Sequence, residues 1–430
     1  MSEEFPEALQ IEVTNRCNFK CQMCMRRVWE TELLNMDLAL YKKIAESCFH
    51  KLKRLILYGV GEPFIHPHFI EMLRIARKTL KEDGKIIVST NGSLITPRIA
   101  RKIVREIGLG SISFSVDTTD QIKLSRVRGG SELSLITENV GYLTKNRDKP
   151  KNVLDLGIEI VIMADNFRDL PDLIKFSAES EIDYIIASHV ASYTEDVLAK
   201  ALYLTMSKNS IEILKPSINY GRDIIRKVTV ELFGKTYGVE MEPVSSKLVK
   251  NFWRKAEKKG YWINLPLFLN SIDKLGILND LEEVFNQSAK LAHEYQIDLK
   301  LPNLFSNAKK RECPYMEKKT LIIRSDGKVS PCLEFMYQHQ VYVNAHKKDV
   351  REIIFGDATK EDIEEVWRKG AYKNFREIRQ NMVENMPWCG DCPFSTLGCF
   401  YTKTNNIDCY ANEPTCDECL YSVNLVQCNI

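Results

Sequence analysis

A chain of 430 residues with 44% apolar side chains can bury real cores in more than one compact unit, which excludes a disordered or fibrous protein. Its 60 basic residues nearly cancel 58 acidic ones, so no broad field draws in nucleic acid or an anionic membrane, and the substrate has to be recognised locally. The acidic start MSEEFPEALQ carries no apolar core segment, and no apolar run approaches the ~20 residues that cross a bilayer, so a soluble cytoplasmic protein without nucleic-acid or membrane partners is expected.

From Leu9 onward, short apolar runs alternate with amphipathic ones. The runs LQIEVT, RLILYG, KIIVST, SISFSV, GIEIVIM and DYIIAS are mostly continuous rather than alternating, which predicts six strands buried on both faces. Segments between them, such as PHFIEMLRIARKTLKED and PRIARKIVREIG, repeat apolar residues every three or four positions and predict helices. Strand and helix in alternation give an α/β fold with a parallel sheet, whose functional residues follow the carboxyl ends of the strands. Cys48, within a helical run, reads as a small core residue, and His66 and His68 as the start of a helix.

Beyond Tyr193 the chain turns to charged helical material, where Trp253 and Trp262 read as packing residues. From Leu301 the character changes again: Ser325-Asp326-Gly327 predicts a hairpin turn, and seven cysteines follow between Cys389 and Cys428. So short and turn-rich a segment needs staples, and in a chain that looks cytosolic metal is favoured over disulfides. Three units are expected: 1–193, a helical insertion or bridge at 194–300, and a small cysteine-rich domain at 301–430.

The first thiols lie on the loop after the first strand, where EVTNRCNFKCQMCMRR carries Cys17, Cys21 and Cys24. Structural zinc wants four protein ligands and usually takes cysteines in separated pairs, so it suits this loop poorly. An iron-sulfur cube suits it better, since three thiolates take three irons at different corners and one iron stays open for a ligand. The run Cys17-x3-Cys21-x2-Cys24 resembles the signature of the radical S-adenosylmethionine (radical SAM) enzymes. That resemblance implies a partial six-stranded (β/α)6 barrel of the TIM type and a 4Fe-4S cluster whose open iron binds S-adenosylmethionine. Met23 stands where the family often has an aromatic residue, and its thioether can still pack against adenine.

Later strand ends agree with the resemblance. Gly61-Glu62-Pro63 is similar to the family's Gly-Gly-Glu-Pro loop, which receives the methionyl ammonium. Ser89 and Asn91 in STNG, then Ser115 and Asp117 in SFSVD, stand where polar side chains meet the ribose or methionine portion. Arg128 in RVRGG is expected to pair with the methionine carboxylate.

The order Cys313, Gly327, Cys332, then Cys389-x2-Cys392 and Cys399, resembles the SPASM extension of these proteins, which carries one or two auxiliary 4Fe-4S clusters. Cys409, Cys416, Cys419 and Cys428 depart from its usual spacing and leave the partition of ligands open. Two clusters with one cysteine to spare are favoured over one cluster and a zinc knot. The wording of the tail is similar to maturases that modify the cofactor of tungsten-containing aldehyde oxidoreductases. The resemblance implies reductive cleavage of S-adenosylmethionine to a 5'-deoxyadenosyl radical, a peptide or pterin-cofactor substrate, and a low-potential donor such as ferredoxin or flavodoxin. The alternative from the residues alone is a non-catalytic iron-sulfur electron carrier or sensor.

Overall fold

The computed structural model describes residues 5–147, 154–236 and 243–430; of the acidic start, residues 1–4 lie outside them. Six parallel strands run side by side in chain order: β1 (Ala8–Ile11), β2 (Arg54–Ile56), β3 (Lys85–Thr90), β4 (Ser111–Ser115), β5 (Asp155–Ile162) and β6 (Tyr184–His189). They are the six apolar runs, and the parallel order follows because a helix covers each crossover. Leu9, Ile11, Leu55, Ile56, Ile112 and Phe114 are wholly buried, each contributing about 1.5–3 kcal/mol by removal from water.

The sheet continues past both expected edges. β7 (Asp298–Lys300) pairs parallel with β6, and β8 (Thr320–Ile323) pairs parallel with β1, Ala8 opposite Thr320. β8 then turns into β9 (Lys328–Ser330), antiparallel to it, and β10 (Gly356–Asp357) closes the row. The turn is the expected one: Gly327 has φ +87°, and Asp326 Oδ1 accepts from Lys328 N at 3.1 Å. Its first arm therefore belongs to the barrel wall as well as to the cysteine-rich region.

Helices start and stop where their end residues direct. Asp37 accepts from Ala39 N and Leu40 N ahead of Leu38–Cys48, and Thr96 caps Pro97–Lys102, with proline at the first helical turn. Cys48 is fully buried at the end of its helix and donates to the Ile44 carbonyl. His68 immediately precedes helix Phe69–Thr79. Among its described residues the charged middle segment is mainly helical, apart from the strand Leu204–Ser207, and its helix Lys274–Glu294 packs against Leu170–Glu179 before delivering β7. It serves as the crossover to a seventh parallel strand. Trp253 and Trp262 meet edge to face at 6.2 Å, Trp262 remaining 58% exposed. Among the described residues no helix is long and apolar enough to cross a membrane.

Candidate active site

The first thiol loop is locked from below. Thr14 Oγ1 accepts from Arg16 N at 3.1 Å and donates to Asn35 Oδ1 at 2.7 Å, while Asn15 bridges the Glu32 carbonyl and Leu34 N. Cys21 lies in the two-residue strand Lys20–Cys21, paired antiparallel with Arg128–Gly129, so that Cys21 stands opposite Arg128. Burial pushes all three thiols upward, Cys21 to about 11. A protonated thiol is a poor ligand, so charge has to arrive with the metal that converts it to thiolate.

A cavity of about 310 Å³ opens above the strand ends, lined by Cys17, Cys21 and Cys24 together with Met23, Gly61, Glu62, Ser89, Asn91, Ser115 and Arg128. Residues scattered over more than a hundred positions thus meet because they follow successive parallel strands. Gly61 is required by a close approach: a Cβ there would lie 2.3 Å from the Thr14 carbonyl oxygen. The Glu62 carboxylate accepts from Thr90 Oγ1 at 2.8 Å, Asn91 N at 2.7 Å and Phe64 N at 3.1 Å. Burial pushes its carboxyl up to about 7 against those bonds, so an ammonium group arriving in the cavity finds a carboxyl poised to ionise.

Two of the expected contacts stand off the cavity lining. Asp117 does not line the cavity; it is wholly buried and takes two bonds from Arg128, at 2.7 and 2.9 Å, and one from Val161 N at 2.8 Å. It fixes the plane of the guanidinium, because a carboxylate sealed inside the barrel must be paired. Pro63 begins the short helix Pro63–Ile65 and also lies outside the lining. Two others are already engaged: Asn91 donates to Asn18 Oδ1 at 2.8 Å and stands 3.9 Å from Cys17 Sγ, and Ser89 donates to Glu159 at 3.2 Å.

Glu12, Glu159, Tyr421, Gln427 and Asn429 take places at the site that were not expected from the sequence. Glu12, fully buried, accepts from Val60 N and from Tyr337 and Ser325, tying the Gly61 loop to the cysteine-rich region. The other four line the cavity. The visible signal for Glu159 was a lone acid in the apolar run GIEIVIM. The three tail residues reach the barrel only by tertiary return.

The cysteine-rich region sorts its thiols into two groups. Cys313, Cys332, Cys416 and Cys419 line an inner cavity of about 60 Å³. Beside it Arg379, 1% exposed, donates from Nε to Cys416 Sγ at 3.2 Å. Lys348 Nζ donates to Asp417 at 2.6 Å and Glu418 at 3.0 Å, the two residues between Cys416 and Cys419. Burial opposes ionisation of Glu418, yet Lys348 and His346 outweigh it and hold that carboxyl low. The second group is a chain of electrostatic neighbours, Cys389 beside Cys392, Cys392 beside Cys399, and Cys409 beside both Cys392 and Cys399, with Cys409 exposed. Cys428, expected among the metal ligands, is set apart from both: it is half-buried and its thiol accepts from Tyr315 Oη at 4.0 Å. Tyr421 and Ala191 line both the inner cavity and the larger one, so a single layer of side chains divides them.

Among the described residues no three His, Cys, Asp or Glu side chains converge on a point that would hold one metal ion. Ligands of a cube need no such convergence, because each takes a different iron.

Residues 11–185 match the radical SAM superfamily, and residues 313–393 match the SPASM iron-sulfur cluster-binding domain. Over those residues the chain resembles the radical SAM superfamily, followed by a SPASM-type cysteine-rich region. These matches support a radical SAM enzyme, the first domain implying a 4Fe-4S cluster and S-adenosylmethionine and the second auxiliary iron-sulfur clusters. It is 26% identical, over 98% of this chain and 97% of the relative, to a tungsten-containing aldehyde ferredoxin oxidoreductase cofactor-modifying protein of Pyrococcus furiosus. A GTP 3',8-cyclase of Clostridium perfringens is 26% identical over 41% of this chain and 53% of its own length. Two solved structures share the fold. Streptococcus suis SuiB bound to S-adenosylmethionine has a TM-score of 0.51 at 14% identity, covering 87% of this chain and 68% of that one. Native anSMEcpe with bound AdoMet has a TM-score of 0.51 at 14% identity, covering 97% and 93%.

Proposed function

We propose that this radical SAM enzyme modifies a pterin-type metal cofactor of a tungsten oxidoreductase in the cytoplasm, drawing its electron from a low-potential ferredoxin or flavodoxin. Likeness over nearly the whole chain to the Pyrococcus cofactor-modifying protein supports the substrate reading. The observation that carries the chemistry is the single cavity that joins Cys17, Cys21 and Cys24 to Glu62, Ser115 and Arg128. When bound and reduced, the cluster would supply one electron for reductive cleavage of the S-adenosylmethionine sulfonium, the source of methionine and of a hydrogen-abstracting 5'-deoxyadenosyl radical.

The chain's own residues bind, orient and exclude water. Cys17, Cys21 and Cys24 would hold the cluster. Glu62 and the backbone at Gly61 would receive the methionyl ammonium, and Ser115 and Arg128 its carboxylate. Asp117 keeps Arg128 from turning away, which preserves the orientation on which a one-step bond cleavage depends. Met23 offers a thioether face to adenine. Val161, Ile186, Val190 and Ala191 give the cavity an apolar wall, where a radical is shielded from solvent. The two thiol groups of the SPASM region would each hold an auxiliary cube, the inner one walled from the cavity by Tyr421 and Ala191. Cys428 is the one left over.

Anaerobic reconstitution followed by iron and sulfide counting and a 5'-deoxyadenosine assay under reduction tests this. About twelve irons and reductant-dependent nucleoside formation are expected, at four irons per cube. About four irons with bound zinc would overturn the two-cube assignment.

A further inference from the structure

Glu159 lies within β5, and it is a carboxylate of the cavity that no step above uses. Ser113 Oγ donates to Oε1 at 2.5 Å and Ser89 Oγ to Oε2 at 3.2 Å. Two hydroxyls occupy one position on each oxygen, and a carboxylate offers about four, so each oxygen keeps a site for a further donor. Arg128, which feels this charge, is bonded to Asp117. Among the described residues Glu159 itself has no ion-pair partner. A carboxylate that faces the cavity with no ion-paired cation of its own calls for N–H donors from whatever fills it.

The polar end of the cavity is completed by the tail. Gln427 and Asn429 line it, and Asn429 Nδ2 donates to Ser113 Oγ at 3.3 Å and Tyr184 Oη at 3.1 Å. The serine that holds Glu159 is thereby tied to the segment that closes the barrel. Gln427 N donates to Ser188 Oγ at 3.0 Å, which fixes that segment against β6. Two carboxylate oxygens held in one plane match a pair of adjacent N–H groups with two parallel bonds, and they repel a ligand edge that offers acceptors alone.

We propose that Glu159, set by Ser89 and Ser113 and faced by Gln427 and Asn429, anchors the substrate by the paired N–H donors of a cyclic guanidine edge, such as a 2-amino-4-oxo pterin ring presents. This deepens, and rests on, the cofactor-modifying reading above.

The test is anaerobic equilibrium dialysis of the reconstituted full-length protein with 6-hydroxymethylpterin and with lumazine, the pteridine that has oxygen in place of the 2-amino group. Wild type is expected to prefer the pterin by about tenfold or more, and Glu159→Gln to bind it roughly tenfold to a hundredfold more weakly with the preference gone, as loss of hydrogen bonds to a charged group predicts. Glu159→Asp keeps the charge but withdraws it, and is expected to retain the preference at reduced affinity. Wild-type protein that binds neither ring, or that binds both equally, overturns the proposal. So does a Glu159→Gln variant with wild-type affinity and preference. Formation of 5'-deoxyadenosine by wild type in the same preparation is a separate arm. Its absence sinks the radical reading, whereas its presence with ring binding indifferent to Glu159 sinks only this assignment.

Discussion

The two thiol-bearing regions of this molecule are built on opposite plans. Cys17, Cys21 and Cys24 come from one short loop held by the end of β1, whereas the inner group in the tail joins Cys313 and Cys332 to Cys416 and Cys419 from the far end of the chain. The loop faces an open cavity and supplies three thiols, a set that would leave one corner of a cube for a ligand. The inner group brings four thiols together beside Arg379 and a buried lysine-carboxylate set. A local, incomplete ligand set suits substrate activation. A non-local, complete one needs the whole domain folded around it, which ties its metal to folding.

The sharpest way to break the contrast is to remove one ligand from each region. Cys17→Ala is expected to abolish 5'-deoxyadenosine formation while auxiliary iron stays at about eight per chain, from four per cube. Cys416→Ala should instead lose about four irons from the tail and leave three loop ligands in place, read by iron counting and by electron paramagnetic resonance of the remaining clusters. If both variants lose the same iron, the regions are not independent.

A smaller effect tests how far the inner group depends on its buried cation. Arg379 also donates to the Pro414 and Phe375 carbonyls. Arg379→Met therefore leaves buried acceptors unpaired and should cost about 3 kcal/mol, seen as a lower denaturation midpoint.

The loop side carries a pH signature. Glu62, with its carboxyl raised to about 7 by burial, binds more protons folded than unfolded between its ordinary range and 7. Its contribution thus disfavours folding increasingly as pH rises through that window. An ammonium ligand reverses the preference. S-adenosylmethionine affinity, measured anaerobically, should rise several-fold from pH 6 to pH 8 and lose that slope in Glu62→Gln. The smallest effect is expected at Cys428: replacement by alanine should leave iron content unchanged, and loss of about four irons would return it to the ligand set.

Legibility in the sequence follows the same divide. The six strands and the thiol loop were readable because continuous apolar runs and closely spaced cysteines are local signals. β7 was not, since DLK is short and its Asp298 and Lys300 are exposed at the sheet edge. β8 was readable as a hairpin arm but not as the neighbour of β1, because nothing nearby in the chain declares a partner more than three hundred residues away. Asp117 looked like a ligand contact since it follows a strand, and only the fold reveals that it is spent on Arg128. The partition of the tail thiols was hidden because Cys416 and Cys419 return past the second group to join the first.

The central claim is that the loop thiols, short of a full ligand set, activate a sulfonium nucleotide in the cavity they share with Glu62 and Arg128. It is tested most directly by following 5'-deoxyadenosine in anaerobically reconstituted wild type and Cys17→Ala under the same reductant. Nucleoside from wild type and none from the variant is the predicted result. Equal amounts from both, or none from wild type with its clusters fully loaded, would contradict it.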